Sequence, residues 1–293
     1  MLPSPRTALL GLLLCSGLSA AAPALATEVV WGMSPWPGLV DLRDGRPASG
    51  IIVELLGEIT ARLPEYAHRS SLVNLSRGFE QLRRDQLACF LPTFRTAERD
   101  RVGHYVGLFV AMPHQLVVRE RERQAIAAGQ DEVSLRRLLA MRQLRGGLIR
   151  DRSYGPQLDP LLRGEHPQLL RIQTSGAGNN LFDMLEHGRI DYLLEYAEVL
   201  GALRRAGGAG ELALLPLREA DTPAVSGVYC SKTAAGADLV RRIDEVARRP
   251  EVIQAFMRAQ RAYVPATTLE HYRPWLEAFF RQRGEQDLTS LPR

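Results

Sequence analysis

The chain has 293 residues, 37 of them Lys or Arg and 33 Asp or Glu, for a formal charge of +4. So even a balance argues against a dedicated nucleic-acid binder, whose affinity rests on many basic side chains set against phosphate. Neither Cys89 nor Cys230 has a second Cys or a His at metal-ligand spacing, which argues against a zinc site.

Residues 1–26 read as a secretory signal peptide. Arg6 is the only basic residue, an apolar run covers 8–14, and small residues lead to Ala24-Leu25-Ala26, a small-x-small cleavage pattern. The apolar run is too short to span a bilayer. Cys15 would suit lipid attachment, but Leu14 precedes it where a small residue is needed, so cleavage after Ala26 is the expectation. Cleavage removes one arginine and no acid, taking the charge from +4 to +3, and leaves about 267 residues, enough for one large domain or two lobes. No later segment is apolar enough to cross a membrane, so the mature chain is expected to be soluble and periplasmic.

Residues 29–33 form a short apolar strand, broken at 34–38 by Pro35, Pro37 and Gly38. From Gly50, the residues Ile51, Ile52, Leu55, Leu56, Ile59 and Leu63 recur at helical spacing, and Pro64 ends the helix. Ser76 can cap a second helix that turns Phe79 and Leu82 inward. A strand at 87–91 leads into TAER, which reads as a short helix capped by Thr96. Residues 107–120 are apolar and extended, and the charged stretch that follows is a loop or surface helix. Ser134 opens a helix; 146–149 is a strand, followed by a helix limited by Pro156 and Pro160. Strands at 169–173 and 190–196 flank a turn at 175–180 and the helix after it. Further strands are expected at 212–217 and 225–230, and helices at 236–248, 251–261 and 268–283. Strands alternating with helices at this spacing indicate βαβ units and mostly parallel sheets. The charged stretch near 119–132 and the change of rhythm near 218–224 suggest two crossings between lobes.

Ligands of such sheets bind outside the carboxyl ends of the strands. The loops at 34–38, 92–99, 150–154 and 195–197 sit there. Arg99, held by the turn from Thr96, can present a planar fork to a carboxylate or phosphate. The alternative is a surface ion pair between Arg99 and Glu98 or Asp100, of little worth. Trp36 can floor a pocket or fill a core. Glu195 can hold a cation and Tyr196 can stack or hydrogen-bond, unless simple alternation sends one to the core and the other to solvent. In RDRSYG at 150–155, backbone N–H groups can hold an anion, or Ser153 is an ordinary cap. His68, His104, His114, His166, His187 and His271 are scattered, and no nucleophile or metalloprotease motif is present.

Five stretches together resemble the extracytoplasmic solute-binding proteins of family 3: VVWGMSPWPGL, GIIVELLGEITARLP, LACFLPTFRTAERDRVGHYVGLFVAMPHQLVVRE, LEHGRIDYLLEYAEVL and VSGVYCSK. The resemblance covers nearly the whole mature chain. It implies the type II periplasmic-binding fold, an α/β architecture of two lobes, each a mostly parallel sheet flanked by helices, with two interlobe crossings. Lobe 1 would comprise 27–112 and 222–293, and lobe 2 113–221. It further implies a monomer that closes on a small-molecule ligand, amino-acid-like and carboxylate-bearing, without cofactor or nucleic acid, and that serves an ABC permease or a membrane sensor. Arg99 occupies the carboxylate-binding position, Trp36 the aromatic that packs over the ligand, and Ser153 lies near the lobe-two part of the clamp.

Two positions depart from the pattern. Phe94 stands where amino-acid binders carry a hydroxyl, with Thr93 beside it; Tyr196 stands where they carry an aspartate, with Glu195 one position earlier. An enzyme on the same fold, similar to periplasmic cyclohexadienyl dehydratases, is one alternative, although no paired acid–base motif is visible. A sensory or interaction module with a degenerate cleft is another. The resemblance also places Cys89 and Cys230 in one lobe of an exported protein. That leaves a disulfide between them, or two separate buried thiols, as the open alternatives.

Overall fold

The computed structural model describes residues 26–84, 86–174, 179–208, 210–286 and 288–289. The expected leader, except Ala26, lies outside the described residues, as does 175–178 of the turn expected at 175–180.

Twelve strands are present among the described residues. They are β1 (Thr27–Met33), β2 (Asp41–Arg43), β3 (Arg46–Ser49), β4 (Tyr66–Leu72), β5 (Ala88–Phe94), β6 (Gly103–Ala111), β7 (Gln115–Arg119), β8 (Gly146–Ile149), β9 (Leu169–Ile172), β10 (Tyr192–Glu195), β11 (Leu212–Leu215) and β12 (Ala224–Ser231). The helices are α1 (Ile51–Thr60), α2 (Leu75–Gln81), α3 (Arg123–Ala127), α4 (Leu135–Ala140), α5 (Asp159–Leu162), α6 (Asn179–Glu186), α7 (Ala197–Arg205), α8 (Ala234–Ala247), α9 (Pro250–Tyr263), α10 (Ala266–His271) and α11 (Arg273–Arg283).

Two five-stranded sheets organise the molecule, in the orders β4-β1-β5-β12-β6 and β11-β7-β10-β8-β9, with β2 and β3 as a separate hairpin. In the first sheet β1 runs parallel to β4 and β5, and β12 runs antiparallel to β5 and β6. In the second, β8 is parallel to β9 and β10, while β7 is antiparallel to β10 and β11. Each sheet thus has a parallel heart and one strand that runs against it, β12 in the first and β7 in the second. Helices cover the sheets: α2 packs on β1 and β5, α8 on β6 and β12, and α6 on β7 and β10.

The chain leaves the first sheet at residues 112–114 and returns through 216–223. The first crossing therefore precedes the charged stretch 119–132, which instead supplies the end of β7 and α3, packed on β11. The apolar run 107–120 hides this break in the sequence; Pro113, which has no N–H for a ladder, interrupts it.

Local chemistry accounts for most elements. In α1, Ile51, Ile52, Leu55, Leu56 and Ile59 form one buried stripe. The helix starts after Gly50 at φ 113°, where a Cβ would stand 2.4 Å from the Leu39 carbonyl oxygen, so only glycine fits. Helix α2 is capped by Asn74, whose side chain accepts from Arg77 N at 2.9 Å, rather than by Ser76. Ser76 already lies inside the helix. Ser134 caps α4 as expected, and Glu219 accepts from Leu135 N and Arg136 N at the same helix end. The helix expected at 268–283 is divided at Tyr272, because Pro274 at the start of α11 lacks the N–H needed to continue it.

Cys89 and Cys230 face each other across β5 and β12 and are joined by a disulfide.

Candidate functional site

The carboxyl ends of β1, β5, β8 and β10 converge between the two sheets. The loop after β1 brings Trp36, the turn after β5 brings Arg99, and the loop after β8 brings Arg152 and Ser153. Strand β10 ends in Glu195 and runs into Tyr196. Trp36, Thr93, Phe94, Arg99, Ser153 and Tyr196 line one cavity, with Arg152, Glu198, Ser226 and Gln260. Apolar Leu39, Ile51, Phe109 and Val110 complete its walls. Glu195 lies behind Arg152. The cavity measures about 40 Å³, room for roughly one or two water molecules. A wider hollow of about 510 Å³ shares Arg99, Arg152 and Ser153 with it and is lined as well by Arg101, Arg150, Arg163 and Arg171 and by Glu98, Asp151 and Asp159.

Arg99 is held from its own turn. Its N–H donates to Thr96 Oγ1 at 3.2 Å, and the short 3₁₀ helix Arg99–Arg101 follows. The guanidinium is buried. Nη1 donates to Thr93 Oγ1 at 2.6 Å and to the Phe94 carbonyl at 2.9 Å, and Nη2 reaches across the cleft to the Asp151 carbonyl at 3.1 Å. Every acceptor is neutral, and among the described residues no carboxylate pairs with it. Burial lowers its pKa, but an arginine stays charged. The surface pair expected of Arg99 is made by its neighbour instead: Arg95 pairs with Asp100 at 3.1 Å, and the Tyr229 hydroxyl also donates to Asp100.

Arg152 occupies the opposite wall. Its η nitrogens donate to both oxygens of Glu195, each at 2.8 Å, and Nη2 also donates to His114 Nε2 at 2.9 Å. The two side chains are 4% and 2% exposed. Around the guanidinium stand the rings of Trp36 at 4.4 Å, Tyr154 at 4.9 Å and Tyr196 at 5.5 Å, all within cation–π range. His114 stacks on Tyr196 with centroids 4.1 Å apart. Burial and the adjacent Arg152 hold His114 neutral, well below its ordinary value. Burial pulls Arg152 down, but Glu195 outweighs it and leaves the guanidinium more basic than usual.

Ser153 turns its hydroxyl to Asp159, which also accepts from Tyr154 N at 2.7 Å. It borders the cavity while closing the local turn. Among the described residues, three further polar atoms lining the cavity have no hydrogen-bond partner: Trp36 Nε1, Glu198 Oε2 and Gln260 Oε1; Arg152 Nε is a fourth. Burial, with Glu195 nearby, pushes the Glu198 carboxyl up to about 7.

No sequence-family profile and no curated protein matches this chain in sequence. In three dimensions the picture is different. The arginine-, lysine-, histidine-binding protein ArtJ of Geobacillus stearothermophilus superposes with a TM-score of 0.61 at 13% identity, over 82% of this chain and 97% of that one. A structure from work on glutathione import through GshT and the cystine importer TcyBC of Streptococcus mutans gives 0.63 at 14%, over 82% and 95%. The arginine-specific periplasmic binding protein STM4351 of Salmonella typhimurium gives 0.58 at 12%, over 82% and 100%.

The fold is the two-lobed type II periplasmic-binding fold.

Within this fold the residues singled out in the sequence come together, and the structure adds Arg152, His114, Tyr154, Glu198 and Gln260. Arg152 sits in RDRSYG, a segment whose position at a strand end was legible although the individual residue was not. Glu198 opens α7 just beyond Tyr196, and its role follows only from burial. Gln260 comes from α9, far along the chain, where its Nε2 donates to the Val110 carbonyl at 2.6 Å; no local signal marks it. Among the described residues no helix is long and apolar enough to cross a membrane.

Proposed function

We propose that this chain is an extracytoplasmic solute-binding protein that captures a small, carboxylate-bearing solute between its lobes for an uptake system or a sensor. The observation that carries this reading is Arg99, a buried cation at the junction of the inner cavity and the outer hollow, hydrogen-bonded only to neutral oxygens. A buried charge without a counter-ion is costly, and an anionic solute offsets that cost. The fold supports the reading, since two of its solved examples above are binding proteins and the third comes from work on import. In this role Arg99 anchors the anion, Trp36 and Phe94 wall the solute, and Thr93 and Ser153 add hydrogen-bonding groups. Tyr196 and Glu195 shape the far end. Closure driven by contacts made only in the closed state is the mechanism, and an ABC permease or membrane sensor is the partner class. Expected boundaries of the lobes are 27–112 with 222–293, and 113–221.

The test is a thermal-shift screen of the mature protein against amino acids, small organic acids and short peptides at millimolar concentration. A saturable shift is expected, and Arg99→Ala abolishes it. A flat response across all three classes counts against the reading.

A second reading, a sensory or interaction module with a self-filled cleft, is favoured by one observation: Arg152 already fills the aromatic-lined end and leaves only about 40 Å³. That module gives the flat response.

A further inference from the structure

Aromatic rings around a carboxylate make a receptor for an organic cation. Here the chain supplies that cation itself. Trp36, Tyr154 and Tyr196 surround Arg152, and both oxygens of Glu195 are taken by its η nitrogens, with Oε1 also accepting from Tyr196 N at 2.9 Å. A solute ammonium that competed for Glu195 would have to displace a tethered guanidinium, whose local concentration no free solute matches. It would also strand that guanidinium, buried, without its carboxylate.

What remains open to a solute has the opposite chemistry. Arg99 is a cation with only neutral acceptors. Among the described residues, Trp36 Nε1 and Arg152 Nε are donors without partners. Gln260 Oε1 is an acceptor suited to a hydroxyl. Among the described residues, Glu198 is the one carboxylate that lines the cavity, and burial keeps it protonated up to about pH 7, so it too can donate.

We infer that the cleft selects a small carboxylate that lacks an ammonium group (a 2-hydroxy acid, a 2-oxo acid or a simple carboxylate) and that Arg152 is the residue that sets this specificity by standing in for the solute's own cation. The inference rests on the solute-binding reading above and narrows its ligand class away from amino acids.

Matched acids test it. Isothermal titration of the mature protein compares alanine with lactate, pyruvate and propionate; aspartate with malate and succinate; and glutamate with 2-hydroxyglutarate and 2-oxoglutarate. The result expected is at least a tenfold preference for the ammonium-free member of the set that binds. Arg152→Met, which keeps the stem and frees Glu195, shrinks or reverses that preference. Arg152→Lys, which keeps the charge, retains it, and the wild-type ratio decides if the methionine variant does not fold. Amino acids that bind as tightly as their ammonium-free counterparts overturn this inference and leave the solute-binding reading standing. A protein that responds to no acid of either kind overturns both. An unchanged preference in a folded Arg152→Met variant removes Arg152 from the role.

Discussion

Arg99 and Glu198 show how burial alone gives an ordinary side chain a function-shaped property. Both lie in the same cleft; one is a cation with neutral partners, the other an acid whose second oxygen has none. For Glu198 the consequence is measurable. Its carboxyl has an ordinary value of 4.5 and is pushed up to about 7 in the fold, burial first and Glu195 adding to it. Between those two pH values the folded protein holds a proton that the unfolded chain has released. Stability therefore falls as pH rises through that window and levels off above about 7. The gap corresponds to roughly 3 kcal/mol. Glu198→Gln should remove this slope, so thermal melts should show the variant gaining more at pH 8 than at pH 4.5. An equal change at both pH values would place the charged form elsewhere.

At the scale of elements, β12 does the most. It closes the first sheet between β5 and β6, carries Cys230 opposite Cys89, and shifts register at Gly227. A Cβ on Gly227 would stand 1.9 Å from the Val106 carbonyl oxygen. Gly227→Ala must push two hydrogen-bonded strands apart, and a loss of about 1–3 kcal/mol in denaturant unfolding is expected. The disulfide ties residues 141 apart in sequence. Replacing both cysteines by alanine should cost about 2–4 kcal/mol by freeing that loop in the unfolded chain. Thiol titration of denatured, unreduced protein spanning residues 27–293 should find neither Cys89 nor Cys230 free.

At the scale of the whole molecule, Asp151 joins the two lobes. Its carbonyl accepts from Arg99 Nη2 at 3.1 Å, and its carboxylate accepts from Ser76 Oγ at 2.7 Å. Both donors belong to the first lobe, and Asp151 follows β8 in the second. Its φ of 64° is a left-handed value, one that glycine adopts freely. Asp151→Gly thus keeps the backbone and removes the carboxylate. A larger radius of gyration by small-angle X-ray scattering, against wild type in the same buffer, is the expected outcome; no change would mean that other contacts hold the lobes together.

The residues themselves laid out much of this architecture. The apolar stripe of α1, the strand Gly146–Ile149 and the turn that holds Arg99 depend on neighbours within a few positions, so periodicity and capping chemistry sufficed to find them. Strand β4 escaped because YAHRSSL is polar and sits at a sheet edge, with β1 as its partner, and so carries little of the burial signal that marks a strand. The hairpin of β2 and β3 escaped likewise, being short and largely exposed. The candidate site was legible as a set of strand ends, but not as a charge arrangement. That Glu195 faces Arg152, 43 positions away, that Gln260 enters from α9, and that Arg95 rather than Arg99 takes Asp100 were decided only when the chain closed on itself. Hydrogen-bonding propensity and hydrophobic spacing act over a turn or two and are written in the sequence. Desolvation and charge pairing depend on what distant segments bring within a few ångströms, and only the tertiary structure fixes that.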